Sequence, residues 1–367
     1  MRVGLNLMFL VEEAGGAGRY AFELIPALLE AEPRLELTLF VNSDAPAALA
    51  KAAWAGEASW VRLPTRFSNR THLPGQALVL PAVAARRRID VVHSIANGGP
   101  PLTIGAQRVV TLLDLIWLHQ GEAWGSRSAV RTMALLTRLA ARTANRVVAI
   151  SDAARDDIVR HFGLTAEKVD VTPLGVRIPA TAPPRRPGDG PPVILCVAQK
   201  RPYKNLASLI RAVADLRDEQ PTLVLPGAPT EHEAELRALA ERLGVAGQVR
   251  FPPWLSDAQL DELYAGAMCF VLPSLIEGFG LPVLEAMARG VPVACSDRPA
   301  LPEVAGDAAI LFDPTDQGAV THSVRRLIQE GELRKELSAR GLERARMFSW
   351  RRTAELTLAS YRRAVGD

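Results

Sequence analysis

The chain has 367 residues, 48% of them hydrophobic and 23% charged, with a formal net charge of +3. That length suits two domains, and the composition excludes wholesale disorder and a fibrous repeat. The charge is too slight for a nucleic-acid binder. It is also uneven: residues 1–178 carry +4 and the remainder −1, and 38 of the 43 basic residues are arginine.

The first half alternates short β-branched runs with amphipathic helical stretches, the pattern of a parallel sheet covered by helices. It opens with a strand at Val3–Leu7, then a glycine loop, Gly15-Gly16-Ala17-Gly18, then a helix from about Arg19. Leu35–Val41, Asp90–His93, Arg108–Leu113 and Arg146–Ile150 read as further strands. An Ala/Leu/Arg-rich helix is expected over about 126–144, and Ser151 should cap the next one. Residues 179–192 hold six prolines and two glycines and read as a linker.

The second half repeats the grammar with less decoration. Val193–Val197, Leu223–Leu225, Val249–Phe251, Met268–Leu272 and Val291–Cys295 read as strands, and Glu231–Leu243, Asp257–Ala265 and Pro282–Arg289 as helices. The tail, about 332–366, reads as helical. The expected fold class is therefore α/β, with two Rossmann-like doubly wound domains.

Cys196, Cys269 and Cys295 each sit in an apolar run and form no C-x-x-C pair, so buried thiols in a reducing compartment are expected. No signal peptide is legible at Met1–Leu7, and no run reaches the roughly 18 apolar residues of a membrane span. A cytoplasmic protein is expected, with peripheral contact at the inner face of the membrane left open.

The densest chemistry lies in Pro273–Val293, where an apolar strand runs into a glycine-bearing loop and a helix start. Such a junction offers unpaired N–H groups to an anion such as a diphosphate. Gly278 and Gly280 allow close backbone approach, with Phe279 between them and Leu281 after. Glu277 and Glu285 have seven residues between them, and a carboxylate can accept hydrogens from two sugar or ribose hydroxyls. Lys204, with Arg201 near it, follows a buried strand closely and could neutralise a diphosphate as charge develops.

These segments together resemble the retaining glycosyltransferases of family four, which have the GT-B architecture. Gly15–Tyr20, Ala149–Asp152, Val171–Val176, Lys200–Leu206, the E-x7-E stretch, Ser296–Val304 and Ala309–Pro314 occur in the family's order along nearly the whole chain. The resemblance implies two domains facing a cleft: an acceptor domain over 1–178, a nucleotide-sugar domain over 193–348, and a terminal helix over 349–367 that packs back on the first domain. It implies that Lys204 contacts the donor diphosphate with help from Arg201. It also implies that Glu277 positions the donor sugar, and that Gly227, Trp254 and Leu255 lie near the base and ribose. Gly16 and Gly18 would approach the donor phosphate or the acceptor, and Asp114 matches a motif aspartate facing the cleft. Three departures stand out. Ile95 and Leu113 occupy positions where relatives carry histidine, and Pro253 replaces a frequent glycine and has no N–H to offer. His119 is a candidate substitute for the lost imidazole.

The expected function is retaining hexosyl transfer, by same-face attack, from a nucleotide-diphosphate sugar to a glycan, glycolipid or polysaccharide-precursor acceptor. GDP-mannose or a UDP-hexose is the favoured donor. No cofactor and no metal are expected: the sequence has no D-x-D element and no H-E-x-x-H motif. A catalytically idle nucleotide-sugar binder is the rival reading; a dinucleotide dehydrogenase fails on glycine spacing, since G-x-G-x-x-G is missing. Arg62, Arg66, Arg70 and the run Arg86-Arg87-Arg88 lie in the acceptor half, where they would attract a phosphate-bearing acceptor or an anionic membrane surface.

Overall fold

The computed structural model describes residues 1–11, 15–66, 72–121, 126–179 and 190–366. Arg70 and most of the proline-rich linker lie outside them. The chain divides into two compact units, Met1–Gly175 with Ser349–Asp367, and Val176–Phe348.

The first unit is built on seven parallel strands. In chain order it runs β1 (Arg2–Asn6), α1 (Gly15–Ala31), β2 (Glu36–Val41), α2 (Ala47–Lys51) and β3 (Ser59–Arg62). Then come α3 (His72–Pro74), which continues through a π-helical stretch into α4 (Leu80–Arg86), β4 (Val91–Ser94), β5 (Gln107–Leu112) and α5 (Ile116–His119). It closes with α6 (Arg127–Thr143), β6 (Arg146–Ala149), α7 (Asp152–Phe162) and β7 (Val169–Val171). The sheet order is β3-β2-β1-β4-β5-β6-β7.

The second unit carries six parallel strands. It runs β8 (Val193–Leu195), α8 (Leu206–Asp215), β9 (Thr222–Val224), α9 (Glu231–Arg242), β10 (Val249–Arg250), α10 (Asp257–Gly266) and β11 (Cys269–Leu272). There follow α11 (Leu281–Ala288), β12 (Val293–Ser296), α12 (Leu301–Ala305), β13 (Ala309–Phe312), α13 (Gln317–Gln329) and α14 (Gly331–Arg346). Its order is β10-β9-β8-β11-β12-β13. The chain then returns to the first unit as α15 (Trp350–Val365).

One expectation is corrected. Gly15–Gly18 is not a loop ahead of a helix but the first turn of α1, entered through Gly15 at φ 56°. Glycine costs helix propensity, yet burial of Tyr20, Leu24, Ile25 and Leu28 on the inner face offsets it. The tail is helical, as the sequence indicates, and falls into two helices. It breaks after α14, and the Ser349 side chain caps α15 by accepting from the Arg352 N–H. Ser151 caps α7 as the sequence indicates, accepting from the Ala154 N–H at 3.0 Å.

A buried polar cluster fixes α15 in the first unit. His93, at the end of β4, shares hydrogen bonds of 2.7 Å with the Tyr361 hydroxyl on α15 and with Thr111 Oγ1 on β5. Tyr20 of α1 stacks obliquely on Trp350, with ring centroids 6.2 Å apart. A side chain at Gly175 would strike the Trp350 main chain, its Cβ lying 2.2 Å from that nitrogen. All three cysteines are free and buried, and burial pushes the Cys196 and Cys295 thiols up to about 12.

Burial also pushes His93 down to about 3. Its unfolded value is about 6.5, so the unfolded chain binds the extra proton as pH falls. The stability it contributes is complete above about pH 6.5 and is lost progressively toward about pH 3. His93→Gln should flatten this acid limb. Urea midpoints of parent and variant, compared between neutral and mildly acidic pH, check it: parallel curves would contradict the assignment.

Candidate active site

In parallel sheets every strand ends at the same edge, and ligands gather where the strand order reverses. In the second unit that reversal lies between β8 and β11. The loops that leave these two strands are the basic loop at 196–205 and the glutamate-glycine loop at 273–280.

The two loops are bound to each other. The Leu275 N–H donates to the Tyr203 carbonyl at 2.8 Å, and the Tyr203 side chain is buried. Lys204 ends a 3-10 turn over Pro202–Lys204, and Asn205, at φ 53°, turns the chain into α8. This aims the ammonium at the neighbouring loop. Lys204 Nζ donates to Glu277 Oε1 at 2.6 Å, and the fully buried Ser274 Oγ donates to the same oxygen at 2.7 Å. Ser274 is itself held through its carbonyl, which accepts from Ser296 Oγ at 2.7 Å. The Lys204 and Glu277 side chains are only 14% and 9% exposed. In so dry a setting the pair interacts more strongly than it would in water.

Beyond Glu277 the loop tightens into α11. Gly278, Phe279 and Gly280 are buried, and Phe279 meets Phe348 edge-on with centroids 6.0 Å apart. Gly280 takes φ 105°, and a Cβ there would lie 2.4 Å from a Leu301 methyl. Leu281 then starts α11, with Pro282 in its first turn, where a missing N–H costs nothing. Glu285, half-buried on α11, accepts from the Tyr264 hydroxyl at 3.5 Å. Burial, with the adjoining Glu285 carboxylate, holds that phenol well above its ordinary range.

The remaining sequence candidates fall as follows. Arg201 stands at the N-terminal end of the 3-10 turn, where its carbonyl accepts from the Lys204 N–H at 3.0 Å, and is half-buried. Trp254, in the loop after β10, is 70% exposed, and Leu255 beside it is half-buried. Gly227 has both main-chain groups engaged: its N–H donates to the Pro252 carbonyl at 3.1 Å and its carbonyl accepts from Lys200 Nζ at 2.7 Å. In the first unit, Gly16 is exposed and Gly18 buried at the start of α1. Asp114, after β5, accepts from the Ile116 N–H at 3.0 Å and so orders the first turn of α5. Ile95 is fully buried, so this departure fills core.

Two features were not legible in the sequence. One is Ser274, which orients Glu277. The other is the role of Lys200, a fully buried lysine held by the Gly227 and Ala228 carbonyls and by Glu233 at 3.2 Å. Burial alone would raise the Glu233 carboxyl, but hydrogen bonds from Arg237 and Lys200 outweigh it and hold the group low.

Two Rossmann-like parallel sheets, the second bearing a lysine–glutamate pair at its switch point, define the GT-B class of glycosyltransferase. Residues 14–178 match the model of Glycosyltransferase Family 4, and residues 180–344 that of Glycosyl transferases group 1. The chain belongs to this family. It is 31% identical to O-antigen chain mannosyltransferase B of Escherichia coli, over 95% of this chain and 96% of that one. It is 34% identical to the MMP alpha-(1->4)-mannosyltransferase of Mycolicibacterium hassiacum, over 77% and 73%. Among solved structures it is similar to sucrose-phosphate synthase of Thermosynechococcus elongatus, with a TM-score of 0.80 at 23% identity, covering 99% and 98% of the two chains. No helix among the described residues is long and apolar enough to cross a membrane.

Removing the Lys200 ammonium would leave Glu233 and two carbonyls short of a buried donor. Lys200→Ala should cost about 3 kcal/mol of stability, read by urea denaturation. A loss under about 0.5 kcal/mol, the size of an ordinary surface change, would show that the lysine is not structural.

Proposed function

We propose that the protein is a retaining hexosyltransferase that takes mannose from GDP-mannose, with a UDP-hexose as the alternative donor. Its acceptor is a hydroxyl of a glycan or lipid-linked polysaccharide precursor. The observation that carries this reading is the Lys204–Glu277 contact at the switch point of the second sheet. The two mannosyltransferase relatives support mannose as the sugar.

In this reading the donor diphosphate competes with Glu277 for the Lys204 ammonium. Arg201 adds a second cation, and the start of α11 adds its N-terminal dipole. Glu277, released from Lys204 but still held by Ser274, accepts hydrogens from the sugar hydroxyls. Glu285 does the same for the ribose, and Trp254 and Leu255 cover the base. Gly16 and Gly18 admit the phosphate or acceptor closely, and Asp114 orients the acceptor. The acceptor oxygen bonds to the anomeric carbon on the face from which the diphosphate oxygen departs. The acceptor proton passes to the leaving phosphate, so configuration is retained. No divalent ion is needed at the diphosphate, because fixed cations meet its charge.

An anionic membrane surface is the proposed site of acceptor capture. Arg86, Arg87 and Arg88 are all exposed. On α6, Leu135 and Leu139 stand exposed one turn apart between Arg131, Arg138 and Arg142. An exposed apolar stripe flanked by arginine suits a lipid headgroup layer.

Transfer assayed with GDP-, UDP- and dTDP-sugars tests the reading. GDP-mannose should give the highest kcat/KM, the product should keep the donor's anomeric configuration by NMR, and a chelator should leave the rate within about twofold. Lys204→Ala should lower kcat/KM by about 10²–10³. Undiminished activity in that variant would overturn the diphosphate role, and tight nucleotide binding without turnover would favour the idle relative. For the membrane, reversing Arg86, Arg87 and Arg88 to glutamate should abolish sedimentation with anionic vesicles. If the parent protein does not sediment with them, that part of the reading fails.

A further inference from the structure

Away from the donor site, the first unit brings together three side chains that no motif singled out as a group. His119 stands at the end of α5, while Asp157 and His161 lie one turn apart on the same face of α7. His119 Nε2 lies 2.8 Å from Asp157 Oδ2, and His161 Nδ1 lies 2.9 Å from Asp157 Oδ1. The two imidazoles meet edge to face with centroids 5.0 Å apart. All three potential donor atoms fall within 4.8 Å of one another.

We infer that His119, Asp157 and His161 form a binding site for a divalent transition-metal ion of the zinc type. Two imidazole nitrogens and one carboxylate oxygen are the donor set such ions favour over calcium or magnesium. Bonds of about 2.0–2.1 Å around a tetrahedral ion put neighbouring donor atoms about 3.3 Å apart. Each ring nitrogen already lies close to this distance from the carboxylate; the widest donor separation, within 4.8 Å, closes by rotation of the exposed rings, and His161 Nδ1 gives up its 3.0 Å contact with the Asp157 carbonyl. The ion takes the place of the protons that the two rings share with the carboxylate, so binding releases protons. Arg160 also faces this carboxylate, its Nη1 3.9 Å from Asp157 Oδ1; at 72% exposure it can turn into solvent. Both histidines are exposed, which leaves the fourth position open to water or another ligand. An ion here would tie the end of α5 to α7. Because α5 begins just after Asp114, occupancy would stiffen the segment that presents this aspartate.

Cobalt(II), zinc and calcium titrations of the tag-free, metal-stripped protein test the site. One equivalent of cobalt should produce visible d–d absorption at concentrations on the order of micromolar. Zinc should displace the cobalt and raise the thermal midpoint, and calcium should do neither. His119→Ala with His161→Ala should lose the spectrum and the zinc shift while keeping the midpoint of the metal-free parent within a few degrees. His232→Ala with His322→Ala, which removes two histidines of the second unit, should keep both responses. No cobalt spectrum in the parent would overturn the inference. So would a spectrum that survives the first double variant or disappears in the second. None of these readings depends on transferase activity.

Discussion

The contact between Lys204 and Glu277 follows from a constraint on the whole second unit. Parallel pairing sends the ends of β8 and β11 to one edge of the sheet, and the strand order makes them neighbours. Two loops 73 positions apart in sequence must then share one small space. A lysine in one and a carboxylate in the other satisfy each other there. The Tyr203–Leu275 main-chain bond and the buried Ser274 keep the loops from drifting apart. Gly280 lets α11 begin against Leu301 without the side chain that would block it.

Under the proposed function, the same pair sets a balance between rest and reaction. A lysine left without a counter-charge in so dry a setting would be costly, and Glu277 removes that cost. In that reading an incoming diphosphate replaces an existing partner rather than filling an empty site. The exchange would lower affinity, while the ammonium, already positioned, would leave little reorganisation for the chemical step.

Legibility in the sequence followed the range of the interactions. Alternation of apolar runs with helical periodicity is local, and it revealed both Rossmann-like units and most strands to within two residues. Short elements with mixed patterns, such as β3 at Ser59–Arg62, carry too little periodicity to register. Gly15–Gly18 misled for a local reason as well: intrinsic propensity speaks against a helix, and packing of Tyr20 and Leu24 overrides it. At the site, Lys204, Glu277 and Gly280 stood out because an apolar strand running into a glycine-bearing loop or a helix start is a local pattern, and because their segments follow the family's motif order. Their mutual bonding could not be read, nor could the burial of Lys200, because sequence does not state which loops become neighbours. His119 and Asp157 illustrate the same limit, since one closes a short helix and the other lies inside a different one.

The return of α15 to the first unit has a consequence for biosynthesis. The second unit, Val176–Phe348, is continuous, so it can fold as soon as its own residues are available. The first unit is interrupted. His93 on β4 and Tyr20 on α1 emerge early, but Tyr361 and Trp350 arrive only after the whole second unit has been made. Until then the first sheet is left with an uncovered apolar face and a histidine without its tyrosine. The unit made first is thus the unit completed last, and during that interval its apolar surface stays open to association with other chains.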